Sequence, residues 1–326
     1  MKLLSKNTYV EGILAGNIVI LSQAITLLES SRRDHNELAR EILESVLPHT
    51  GNSFRIGVTG VPGVGKSTFI DVIGELLLEN ESRLAILAID PSSQLTKGSI
   101  LGDKTRMERL SGKKNVYIRP SAAGDTLGGV GRKTRETIML CEAAGFNKIV
   151  VETVGVGQSE VAVHSMVDCF MLLLLPGAGD ELQGIKRGIM EMADFIVLNK
   201  AYEDGQLSAK AKKAIQELQN ALHYFPQKKL SWLTPVKAID ALAQVQIQEL
   251  KEGLDSYWNH QIQHAYFGLR RKEQESFWFH ETIKQELLSK FYSKPHIQAE
   301  MKKLEEAIAQ GKVSSFKAAD SLLNLE

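Results

Sequence analysis

The stretch "GVTGVPGVGKST" constrains this chain most. It contains Gly60-x-x-x-x-Gly65-Lys66-Ser67, preceded by the apolar run "FRIGVTG" and followed by the amphipathic run "KSTFIDVIGELLLEN". Strand, glycine loop, then helix is the setting in which this pattern binds phosphate. Glycines let the backbone curl so that successive N–H groups point at phosphate oxygens. The following helix adds the positive end of its dipole. On this reading Gly60, Val61, Pro62, Gly63, Val64, Gly65, Lys66, Ser67 and Thr68 cradle the phosphates of a nucleotide. Lys66 reaches the β- and γ-phosphates, and the Ser67 hydroxyl is a magnesium ligand.

The rest of the chain fits such a loop into a sheet. Short apolar runs, "LAILAID", "NVYIRP", "KIVVETV", "CFMLLLLP" and "FIVLNK", alternate with longer amphipathic ones. Nearly all-apolar strands belong to a parallel sheet covered on both faces. The alternation predicts a doubly wound, mostly parallel α/β domain of the P-loop NTPase kind over residues 51–245, with "WLTPVKAID" as a further strand. Residues 1–50 read as helical, with Asn36 as a helix cap before "ELAREILESVL". After residue 246 the strand signals stop. Residues 246–326 read as a long helical arm, with Leu269, Phe277, Trp278, Ile283, Leu287 and Phe291 on a stripe that needs covering. Either the helix lies on its own domain or it is a dimerisation arm; the dimerisation arm is the expectation.

Composition excludes several classes. Lysine plus arginine equals aspartate plus glutamate, 39 each, so no bulk charge draws the chain to nucleic acid or anionic lipid. Two cysteines, far apart, make neither a disulfide framework nor a metal pair, and a reducing compartment follows. No apolar run is long enough to span a bilayer, and the N-terminus lacks a secretory or transit pattern. The expected location is the cytoplasm.

A P-loop enzyme also needs acidic groups near its magnesium ion. Glu152 ends the run "KIVVET", and Gly155 follows at the spacing of a switch that contacts the γ-phosphate. Asp90 ends "LAID", and Asp103 lies in the charged loop "GSILGDKTRM". A third glycine-rich loop, "PGAGDELQGIKRG", carries Lys186 at a strand's carboxyl end, where open α/β sheets place their ligands.

One stretch departs from pattern. A GTPase usually follows its sixth strand with Asn-Lys-x-Asp, whose aspartate reads guanine. Here "NKAYEDG" supplies Asn199 and Lys200, but Tyr202 stands where the aspartate is expected. A phenol cannot accept from guanine N1–H and N2–H₂ together, as a carboxylate can. If "YE" is an insertion, Asp204 takes the role. Downstream, "AIDAL" puts Asp240 near the position of a serine in the loop that contacts the base.

The stretches "GVPGVGKST", "LAIDPSS", "GSILGDKTRM", "TLGGVGRKTRE", "VETVGVGQSE" and "PGAGDELQGIKRG" together resemble the MeaB/ArgK family. The resemblance covers nearly the whole chain. It implies a P-loop GTPase, binding GTP or GDP with Mg²⁺, that acts as chaperone of an adenosylcobalamin-dependent acyl-CoA mutase of the methylmalonyl-CoA type. It further implies GTP hydrolysis coupled to loading or protecting the mutase's cofactor, and a homodimer built through the C-terminal helices. It places Asp90, Asp103 and Glu152 around Mg²⁺. It also makes "PGAGDELQGIK" a third switch, with Lys186 stabilising transition-state charge. The alternatives are a P-loop small-molecule kinase or ATPase, as transport-associated names in the family suggest, and a nucleotide-binding interaction protein with little turnover. A metallochaperone GTPase would need a metal-handling cluster, whereas the eight histidines are scattered.

Overall fold

The computed structural model describes residues 3–79, 81–89, 107–120, 127–153, 159–177, 187–225 and 232–325. Contacts divide the chain into two compact units, Met1–Gln274 and Glu275–Glu326.

The first unit opens with three helices, α1 (Lys6–Leu14), α2 (Ile18–Glu29) and α3 (Arg33–Val46). Ser5 and Asn17 cap the first two by accepting from backbone N–H groups of the first turn. Asn36 does not cap α3. That helix begins a turn earlier, where Asp34 favours its positive end and Arg33 pairs with Glu37 at i,i+4.

A seven-stranded sheet follows: β1 (Phe54–Gly60), β2 (Leu84–Ile89), β3 (Val116–Pro120), β4 (Lys148–Thr153), β5 (Cys169–Leu174), β6 (Phe195–Leu198) and β9 (Val236–Ala238). The spatial order is β3-β2-β4-β1-β5-β6-β9, and every neighbouring pair is parallel. The expected doubly wound α/β fold is therefore present. β1, β2, β5 and β6 are buried along their whole length. Their near-continuous apolar sequence is what a strand covered on both faces requires. The short hairpin of β7 (Tyr202–Glu203) and β8 (Gln206–Leu207) lies between β6 and β9.

The crossovers are α4 (Lys66–Leu77), α5 (Leu127–Ala143), α6 (Ser159–His164), α7 (Arg187–Met192) and α8 (Ala209–Leu222). α9 (Ile247–Gln263) packs Leu250, Leu254 and Tyr257 into the same core as Phe69, Ile73 and Phe195. The helical segment expected from residue 246 thus contributes α9 and the start of α10 (Tyr266–Tyr292) to the first unit. The break between α9 and α10 carries no glycine or proline; Ala265 takes a left-handed φ of 55° there.

A buried ionic layer closes the amino-terminal end of the sheet. Arg55 pairs bidentately with Glu142 at 2.9 Å for each bond. Arg271 grips both oxygens of Asp168, at 3.0 and 2.8 Å, and donates to the carbonyls of Gly51 and Ser53. Arg270 reaches Asp194 at 3.0 Å. Asp168 and Asp194 sit just before β5 and β6, so the layer fixes the strand ends farthest from the phosphate loop.

The second unit holds the rest of α10, α11 (Pro295–Ala309) and α12 (Ser315–Leu323). Trp278, Ile297 and Ala318 are buried. Phe279, Leu287 and Phe316 are 64%, 62% and 83% exposed, so much of its apolar surface is uncovered. No helix among the described residues is long and apolar enough to cross a membrane.

Candidate nucleotide site

The site is assembled at the carboxyl ends of β1, β4, β6 and β9, where the strand order reverses about β1. Residues 61–65 leave β1 and turn into α4, with Gly65 as the residue before the helix. Two glycines are required by geometry. A Cβ on Gly60 would stand 2.5 Å from the Leu173 carbonyl oxygen, and Gly65 has φ 92° with Asn199 Nδ2 only 2.8 Å from where a Cβ would lie. Val64 is buried and anchors the loop from beneath.

Lys66 is the first residue of α4, and its side chain folds back across the loop. Its Nζ donates to the Gly60 carbonyl at 2.8 Å and the Val61 carbonyl at 3.3 Å. Burial holds its pKa below the ordinary lysine value, while the Glu152 carboxylate acts in the opposite sense. A phosphate oxyanion beside Lys66 would offset that desolvation.

Ser67 and Glu152 come together as expected. Ser67 Oγ donates to Glu152 Oε1 at 3.2 Å, joining the first turn of α4 to β4. Glu152 is buried, and next to it the Thr153 hydroxyl donates to the Thr59 hydroxyl at 2.9 Å, tying β4 to β1. A hydroxyl and a carboxylate are hard oxygen donors, the set that suits Mg²⁺. These two residues would hold such an ion, which supplies positive charge beside the phosphates. Asp90, Asp103, Gly155 and Lys186 lie outside the described residues.

The side of the loop toward β6 is organised by Asn199, which is buried. Its Nδ2 donates to the Val64 carbonyl at 2.8 Å, and its Oδ1 accepts from the Lys200 and Ala241 N–H groups, both at 2.9 Å. One amide thus joins the phosphate loop, the end of β6 and the loop after β9. Lys200, with φ 57°, lays its Nζ on the Gly63 carbonyl at 3.0 Å. Ala201 is held from both sides: its N–H donates to Ile239 O and its carbonyl accepts from Ser208 N, both at 3.0 Å. Asp204 lies at the tip of the β7–β8 hairpin, exposed, with φ 51°. Asp240 Oδ1 accepts from Ala243 N at 2.9 Å, so this carboxylate shapes its own loop. The Asn199–Ala241 bond and the Thr59–Thr153 bond are not visible in the sequence, because each joins residues 42 or 94 positions apart.

A parallel sheet whose first strand feeds a glycine loop, a buried lysine, and a serine–carboxylate pair define a P-loop nucleoside triphosphatase. The sequence profile described as "Methylmalonyl Co-A mutase-associated GTPase MeaB" matches residues 21–296. The chain belongs to this MeaB family and is a GTPase of the P-loop class.

Its relatives agree. A Caulobacter vibrioides protein described as a putative GTPase is 46% identical over 95% of this chain and 94% of its own. The mouse "Methylmalonic aciduria type A homolog, mitochondrial" is 42% identical over 96% and 77%. "GTPase ArgK" of Escherichia coli is 45% identical over 75% and 71%. A solved structure described as an LAO/AO transport system kinase is 30% identical, with a TM-score of 0.75 and 99% of each chain covered.

Proposed function

We propose that this GTPase is the chaperone of an adenosylcobalamin-dependent acyl-CoA mutase of the methylmalonyl-CoA type. GTP hydrolysis is coupled to loading or protecting the mutase's cofactor. The single observation that carries the reading is the family match across residues 21–296, whose description names the mutase association. The mouse relative's name points to the same metabolism.

The site supports the hydrolytic half. Lys66 places a cation over the loop, and Ser67 with Glu152 provides oxygen donors for Mg²⁺. Lys186, Asp90 and Asp103 are proposed to complete the charge around the phosphates. The exposed apolar residues Phe279, Leu287 and Phe316 support a homodimer formed through the C-terminal helices, and the cytoplasm is its proposed location.

Phosphate release from GTP, with and without the purified mutase of the same cell, tests this. Turnover should be slow alone and rise when the mutase is added. Unchanged turnover, with no complex at micromolar concentrations, would contradict it. A small-molecule kinase would instead show phosphate transfer to an acceptor metabolite.

A further inference from the structure

We infer that Tyr202 sets the base preference of this GTPase and relaxes it: a triphosphate lacking the guanine 2-amino group binds nearly as well as GTP. The inference rests on the phosphate-loop assignment above.

The position follows from the contacts. Asn199 and Lys200 both touch the phosphate loop, through Val64 O and Gly63 O. The residues just after them therefore border whatever nucleoside hangs from the phosphates. Ala201 is pinned by Ile239 and Ser208. Tyr202 is then the first side chain free to meet the base, and it is half-buried opposite Leu207.

The two carboxylates that follow are placed otherwise. Glu203 pairs with Gln206, and strand alternation turns both to the face opposite Tyr202 and Leu207. Asp204 and Gly205 have φ of 51° and 74°. A two-residue hairpin turn with both central φ positive selects Asp-Gly for conformational reasons alone. The acid at 204 is accounted for by the turn and requires no base.

The chemistry at 202 is then that of a phenol. Guanine presents N1–H and N2–H₂ as two parallel donors, which a carboxylate accepts together. A phenol oxygen accepts one of them, and its O–H donates equally well to N1 of adenine. In the neighbouring loop the Ala241 N–H is engaged by Asn199 and the Ala243 N–H by Asp240; an amide there would meet the base oxygen that GTP and ITP share, and so does not tell those two apart. A carboxylate at 202 would favour guanine by about 30- to 150-fold over a base lacking the second donor. Tyr202 forgoes that preference.

Inosine triphosphate is the discriminating probe, since it differs from GTP only by the missing 2-amino group. Competition titrations should compare GTP, ITP and ATP on the full chain, on Tyr202→Asp and on Asp204→Asn, which keeps the left-handed turn. The parent should prefer GTP over ITP by less than about tenfold, Tyr202→Asp should raise that ratio at least about tenfold, and Asp204→Asn should leave it unchanged. A parent preference above about tenfold that Asp204→Asn removes would overturn the inference and make Asp204 the reader. Failure of every triphosphate to bind would instead overturn the phosphate-loop assignment.

Discussion

Ser67 and Glu152, 85 positions apart, meet through a 3.2 Å hydrogen bond at the mouth of the phosphate loop. The bond sets a hydroxyl and a carboxylate side by side where β1 and β4 end. Replacing Glu152 by Gln keeps the shape and removes the charge. Magnesium-dependent GTP hydrolysis should fall about 10- to 100-fold, with folding intact. Phosphate-release rates across a magnesium titration check this, and a rate equal to the parent's would contradict the assignment.

Lys66 is the cation of the loop, and the lowering of its pKa by burial has a consequence for binding. In the free protein burial disfavours its charged form. A bound triphosphate favours that form, so the bound pKa lies above the free one. Binding then takes up protons as pH rises into the lowered range, and affinity must weaken on the alkaline side. GTP-analogue affinity should decline before pH reaches about 10.4, the ordinary lysine value. Titration calorimetry at several pH values measures this; constant affinity over that interval would exclude the linkage. Lys66→Ala should abolish binding or turnover.

Asn199 joins three segments with one amide. Asn199→Ala leaves the Ala241 N–H and the Val64 carbonyl without their partner. Each such loss costs about 1–3 kcal/mol when buried. Melting temperature should drop and nucleotide affinity should fall with it. If stability falls and affinity does not, the amide is structural only.

Arg271 and Asp168 test the opposite end of the sheet. Arg271→Ala leaves Asp168, buried, without the guanidinium that grips both its oxygens. Breaking a buried pair on one side costs about 3–5 kcal/mol. Denaturant unfolding should show that loss, while nucleotide affinity measured below the transition should be unaffected, because the ionic layer lies at the far ends of the strands.

The phosphate loop is legible in the sequence because its backbone geometry dictates glycine at fixed spacing. The approach of Gly60 to the Leu173 carbonyl and the φ of Gly65 admit little but glycine. The strands were legible because burial on both faces writes them as continuous apolar runs. What the sequence does not display depends on distant partners. The Arg55–Glu142 and Arg271–Asp168 pairs span 87 and 103 positions, and nothing local in the sequence announces them. The division at residue 274 was also hidden, since α10 runs through it without interruption. The segment after β6 is half legible: the motif shows that Tyr202 departs from pattern, but only the hairpin register shows that Asp204 occupies a left-handed turn position.

The central claim is that the backbone from Gly60 to Thr68 grips a triphosphate with Lys66 over it and Ser67 and Glu152 beside the magnesium ion. A crystal structure with magnesium and a non-hydrolysable GTP analogue tests it most directly. The account predicts the phosphates along that loop, with Lys66 Nζ moved from the Gly60 carbonyl onto a phosphate oxygen. Folded protein at saturating ligand with no nucleotide along the loop, or with nucleotide bound elsewhere, would contradict it.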